Sequence, residues 1–134
     1  MPEKPQLQVL QDDDVGVEST GYRSQVMVTP ENVAFLAGQV GSDPETKELV
    51  SPSMYEQTLQ CLSNVEQLLE PVDGDRHDLV QLHVYITDKD LYPEFNEATE
   101  EFFGENPPTR SVVGTPFLAG DALVEISAIA YLDE

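Results

Sequence analysis

The spacing of apolar residues changes several times along the chain, and each change marks an element. From Ser24 to Thr29 the pattern alternates, with Val26 and Val28 on one face and Gln25 and Met27 on the other, which predicts a strand. Pro30-Glu31-Asn32 reads as a turn. Val33 to Gly38 is a continuous apolar run, predicting a second strand buried on both faces and paired with the first as a hairpin. Ser42 to Val50 reads as a loop. A helix starts near Ser51-Pro52 or Ser53, with Ser53 and Glu56 at capping-box spacing. Tyr55, Thr58, Leu59, Leu62, Val65, Leu68 and Leu69 recur at helical spacing, and Pro71 and Gly74 end the run. Asp78 to Thr87 returns to alternation: Val80, Leu82, Val84 and Ile86 face one way, Gln81, His83, Tyr85 and Thr87 the other. The second set is too polar for a core and too aromatic for bare solvent, so it predicts a subunit interface. A second helix follows Asp88-Lys89-Asp90, with Leu91, Phe95, Ala98 and Phe102 as its stripe and Gly104 as its stop. Two strands close the chain, one around Arg110 to Val113 after Pro107-Pro108, the other from Leu123 to Ile129. This order predicts an α+β two-layer domain, a mixed sheet with two helices on one face. Residues 1–20, polar and acidic, read as a loosely ordered lead-in with a short strand near Leu7 to Leu10; 21–134 read as a single domain.

Composition narrows the class. A chain of 134 residues can bury one core. No apolar run approaches the ~20 residues of a membrane helix, and the first residues show no signal-peptide pattern, so no membrane partner and a cytoplasmic location are expected. One cysteine excludes an internal disulfide. The net charge is −20, from 26 acidic and six basic residues. Such a surface repels nucleic acid and anionic membranes. It suits high salt, where the Debye length falls to ~3 Å at 1 M, and so fits a halophilic source; a merely soluble acidic protein is the alternative.

Two residues stand out chemically. Arg110 places a rare cation in a strand, where its planar fork suits a carboxylate. Glu125 places a carboxylate inside the final apolar run. From these residues alone, structural salt bridges, with each other or with neighbours, and a ligand site are both open, with the salt bridges favoured. Cys61 falls near a helix's apolar face and reads as core. His83 and His77 lack metal-ligand spacing, and no Cys cluster exists, so no metal is expected. A phosphate-cradling glycine loop and a Gly-x-Ser-x-Gly elbow are absent.

Arg110-Ser111-Val112-Val113 after the Pro-rich turn, followed by Val124-Glu125-Ile126-Ser127-Ala128-Ile129-Ala130, resembles the C-terminal signature of the RidA/YjgF/UK114 family. Phe35-Leu36-Ala37-Gly38-Gln39-Val40-Gly41, Gln57 to Val65 and Phe95-Asn96-Glu97 agree, in the right order. The resemblance covers Gly21 to Tyr131. It implies a chorismate-mutase-like homotrimer with clefts between subunits, which hydrolyses 2-imino acids or their enamine tautomers to 2-oxo acids and ammonia without a cofactor. By the same resemblance Arg110 holds the substrate carboxylate, the backbone of Gly38 and Val112 contacts the ligand, Asn96 belongs to the binding set, and Glu125 activates water. Two positions depart from the family pattern. Arg23, next to Tyr22, stands where a tyrosine is usual, and Ala37 where serine is frequent. Arg23 then either favours a second acidic group on the ligand or forms a surface salt bridge. Competing functions are a non-catalytic carboxylate-binding or chaperone-like trimer, and a related activity on another imine or enamine.

Overall fold

The structure, a computed structural model, describes residues 7–16 and 21–133. Its frame is a six-stranded sheet. In chain order the strands are β1 (Gln8–Leu10), β2 (Val26–Val28), β3 (Val33–Val40), β4 (Leu79–Ile86), β5 (Thr109–Gly114) and β6 (Val124–Tyr131). Across the sheet the order is β1-β2-β3-β6-β4-β5. Every neighbouring pair is antiparallel except β4 and β5. Those two run parallel because α3 (Tyr92–Phe103) carries the chain back between them. α2 (Met54–Gln67) and α3 contact each other and share one cluster of buried apolar side chains with the sheet. The α+β class read from the sequence is what the chain forms. Of the predicted lead-in, residues 1–6 and 17–20 lie outside the described residues. The remainder holds β1, which pairs with β2, and the short α1 (Asp12–Val15), whose Val15 is buried.

Local chemistry explains the helix boundaries. Ser53 caps α2, its hydroxyl accepting from the Glu56 N–H at 3.3 Å. Glu56 does not complete the box; Ser51 Oγ donates to its carboxylate at 3.4 Å. α3 starts with Pro93 in its first turn and ends at Gly104, whose φ of 66° favours glycine.

The structure corrects two strand readings. β3 is not buried on both faces: Ala34 and Leu36 point into the core, while Phe35 is 49% exposed. Both helices cover the same side, so the other face of the sheet has no layer over it in the protomer. In β4 the register against β6 shifts between Leu79 and Gln81. The irregularity turns Val80 outward, 46% exposed, and puts Leu79 in the core with Leu82, Val84 and Ile86.

Polar residues inside the core tie the helical layer to the loops. Gln57 donates to Ser51 O at 2.8 Å and accepts from the Leu123 N–H at 2.9 Å. Asn64 donates to Val40 O and Ser42 O at 3.0 and 2.8 Å. Gly41 lets β3 touch α2: a Cβ there would lie 2.4 Å from Gln57 O. Arg76 is structural, gripping Glu66 with two guanidinium nitrogens at 3.1 and 2.9 Å and stacking 3.8 Å above the Phe102 ring.

Candidate active site in two halves

The predicted site residues form two groups, held by different elements. The first is built on β5, at the edge of the sheet. Arg110 pairs across the ladder with the core residue Leu82, so its side chain leans toward the helical layer. There it donates to Thr99 Oγ1 at 3.0 Å, Tyr92 Oη at 2.9 Å and Asn96 Oδ1 at 2.5 Å. Tyr92, Asn96 and Thr99 lie one helical turn apart along α3, which is why one side chain reaches all three. The guanidinium also lies 5.2 Å from the Phe95 ring. All its hydrogen-bond partners are neutral. Among the described residues no carboxylate pairs with it. A cavity of about 240 Å3 beside it is lined by the apolar Leu82, Phe103, Pro107 and Pro108 and by the polar Asn96, Thr99 and Glu100.

Backbone polarity completes this half. The Thr115 N–H bonds to Ile86 O at 2.9 Å, so the odd-numbered residues of β5 turn their hydrogen-bonding groups to β4. It follows that Arg110 and Val112 aim theirs outward along the free edge, available to a ligand.

The second half lies on the uncovered face. Glu125 pairs with Tyr85 on β4 and Val40 on β3, and its neighbours Val124 and Ile126 are buried, so its side chain projects away from the helices. β3 is irregular here, its register on β6 shifting between Leu36 and Gln39. The shift turns Gln39 inward, where it donates to Gln25 Oε1 at 3.0 Å, while Gln25 donates to Asp12 Oδ1 at 2.9 Å. The Cys61 thiol donates to Gln39 O at 2.9 Å and is fully buried; burial pushes its titration far up, keeping it protonated. This chain of contacts holds the irregularity, leaving Ala37 and Gly38 toward the open face. Gly38 leaves room for the carboxylate: a Cβ there would sit 2.9 Å from Glu125 Oε2. Arg23 closes the group, its Nη2 donating to Gly38 O at 3.0 Å.

The structure therefore brings Arg110 to Asn96, beside the backbone of Val112, and brings Arg23, Ala37, Gly38 and Glu125 together. It does not bring the two groups together within one protomer. A salt bridge between Arg110 and Glu125 is absent, for a reason of parity. On β4 they pair with Leu82 and Tyr85, an odd step apart, so their side chains leave opposite faces of the sheet. Two partners of Arg110, Tyr92 and Thr99, were missed. Their spacing from Asn96 along the second helix carries the signal, obscured because polar residues beside the predicted core stripe read as surface. Among the described residues no three His, Cys, Asp or Glu side chains converge as metal ligands would, and no helix is long and apolar enough to cross a membrane.

The sequence profile of the family described as Endoribonuclease L-PSP matches residues 17–132. A RutC family protein from Pyrococcus abyssi is 39% identical over 100 residues, covering 75% of this chain and 79% of its own. A protein of Dermatophagoides farinae named 2-iminobutanoate/2-iminopropanoate deaminase is 29% identical over 102 residues, covering 76% and 80%. The crystal structure of RidA from an Antarctic Psychrobacter superposes with a TM-score of 0.84 at 31% identity, covering 93% of this chain and 99% of that one. With the profile spanning nearly the whole domain and the fold shared from end to end, the chain belongs to the RidA/YjgF family.

Proposed function

We propose that this protein hydrolyses reactive 2-imino acids, or their enamine tautomers, to 2-oxo acids and ammonia, at a site completed between copies of the chain. The observation that carries this reading is the division of the site. An uncompensated guanidinium with outward backbone groups occupies the edge strand, and a carboxylate beside a bare glycine occupies the opposite face. Neither half performs the reaction alone. A second copy, docked so that its uncovered face meets the first copy's β5 edge, would bring them together. That face offers apolar area for docking: Phe35, Tyr85, Val113 and Tyr131 are 38–57% exposed. The assembly we propose for this is the chorismate-mutase-like homotrimer that the sequence resemblance implies.

The chemistry follows from the residues. Arg110 grips the substrate carboxylate by charge-assisted bonds, and the outward Val112 N–H adds a donor. Asn96, Thr99 and Tyr92 fix the fork before substrate arrives, so little ordering is left at binding. The imine carbon then faces Glu125 and the backbone of Gly38. Water adds its oxygen to that carbon while Glu125 takes the proton, and the C=N electron pair moves to nitrogen, which is protonated. Collapse of the carbinolamine expels ammonia and leaves the carbonyl, so one water is consumed and no electrons change hands. The substrate is already electrophilic, so positioning and one proton acceptor suffice. The family's description as an endoribonuclease has no counterpart in the charge, since a chain at −20 repels a polyanion.

The test is 2-oxo acid release from a panel of imines generated enzymatically, measured above spontaneous hydrolysis. Wild-type protein should accelerate release, and folded Arg110→Ala should lose at least tenfold in kcat/KM, the worth of one charge-assisted contact at about 1.5–3 kcal/mol. Glu125→Gln should lower kcat more than ligand affinity. Ligand binding without turnover would favour the non-catalytic carboxylate-binding trimer, and wild-type rates in Arg110→Ala would remove that residue from the site.

A further inference from the structure

We infer that the substrate carries a second acidic group, so that the class is the imino derivatives of dicarboxylic amino acids, with Arg23 holding the distal carboxylate. The inference rests on the imine-hydrolysing reading above and narrows it.

The three arginines of the chain are treated differently by the fold. Arg76 is locked to the Glu66 carboxylate, the ordinary outcome in a chain with 26 acidic residues. Arg110 and Arg23 donate only to neutral oxygens. Carboxylates are plentiful on this surface, yet among the described residues none lies at ion-pair distance from either group. Neither is ion-paired, although Asp12 and Asp13 line the same surface cavity as Arg23, and the two arginines belong to the two halves of one proposed site.

Position then assigns Arg23 its role. It is anchored through one N–H to Gly38 O, leaving most of its five donors free. Gly38 is also where an added Cβ would lie 2.9 Å from Glu125 Oε2, so the carboxylate occupies the space beside it. Arg23 and Glu125 therefore flank one backbone position from two sides without pairing. A substrate with its α-carboxylate on Arg110 and its imine carbon at Glu125 extends its side chain past Gly38, toward Arg23. An apolar side chain would leave that cation unmatched. A distal carboxylate would match its fork, and would need to, because a dianion approaching a chain at −20 is otherwise repelled. Ala37, also in this half, presents only a methyl group and offers no hydroxyl in competition.

Stable 2-oxo acids of matched length test this directly. Calorimetry at constant ionic strength compares 2-oxopentanedioate with 2-oxopentanoate, and 2-oxobutanedioate with 2-oxobutanoate. Imine hydrolysis is measured in parallel on alanine- and norvaline-derived against aspartate- and glutamate-derived imines. Wild type should prefer the dicarboxylates tenfold or more in both measurements. Arg23→Gln should abolish the preference, and Arg23→Glu should reverse it. Lys89→Gln, which removes an exposed cation elsewhere, controls for net charge and should keep it. Hydrolysis of all imines with no preference in wild type, or a preference that survives Arg23→Gln, overturns this inference and leaves the proposed function standing. Absence of binding and hydrolysis for every compound overturns both.

Discussion

A methyl group on Gly38 should displace the Glu125 carboxylate without unfolding the protein. Built on the backbone, that Cβ lies 2.9 Å from Glu125 Oε2, 3.1 Å from Cδ and 3.3 Å from Cγ, where ordinary contact begins at 3.4 Å. The carboxylate has to retreat by about 0.5 Å. A misplacement of ~1 Å at a reacting centre costs roughly a hundredfold in rate, so half that predicts about tenfold in kcat, near 1.4 kcal/mol. Folding should hardly change. Gly38 does not have a positive φ, so alanine suits its backbone, and the crowded atoms end a flexible side chain. Gly38→Ala should therefore fall within about 1 kcal/mol of wild type in stability. The assay is oxo-acid release read beside thermal unfolding. A second arm repeats the change in a Glu125→Ala background, where the obstructing carboxylate is gone and the added methyl should cost little further activity. Unchanged kcat in a folded Gly38→Ala protein would refute the argument that Gly38 sets the position of Glu125. Full additivity of the two changes would show that the methyl acts elsewhere.

Gly41→Ala should behave in the opposite way, lowering stability by about 1–3 kcal/mol, because its Cβ would press on the backbone of α2 at Gln57; denaturant unfolding reads this, and an unchanged midpoint would contradict the close packing. Cys61 should make stability fall with alkaline pH. Burial raises its folded titration above the ordinary thiol value near 8.5, so its contribution is complete below that pH and declines above it by up to about 1.4 kcal/mol per unit. Unfolding from pH 7 to 10 should show this slope in wild type and a shallower one in Cys61→Ala, and equal slopes would place the titration elsewhere. Assembly and activity should rise together with salt, since three copies at −20 each repel strongly at a Debye length of ~10 Å in 0.1 M salt and far less at ~3 Å in 1 M. Light scattering beside the oxo-acid assay tests this: a trimer active at tens of millimolar salt removes the halophilic reading, and an active monomer removes the shared site.

The sequence by itself determined the class of fold and most of its elements. Alternation at Val26 and Val28, the helical recurrence from Leu62 to Leu69 and the stop at Gly104 are local signals, set by backbone geometry and by which side chains leave water. Family membership was legible too, because Arg110-Ser111-Val112-Val113 and Val124 to Ala130 are contiguous segments. Which faces are covered was not legible. The run from Val33 to Gly38 looked buried on both sides, because an apolar residue destined for an uncovered face and one destined for a core are the same in a string of letters. Val80 was misplaced since a one-residue irregularity reverses facing and leaves no mark in composition. Arg110 and Glu125 looked like an ion pair until the ladder put them on opposite sides of β4. Only the tertiary structure decided that the candidate site residues fall into two groups on opposite faces: sharing a face depends on register and on the layer above, both fixed by contacts between residues far apart in the chain.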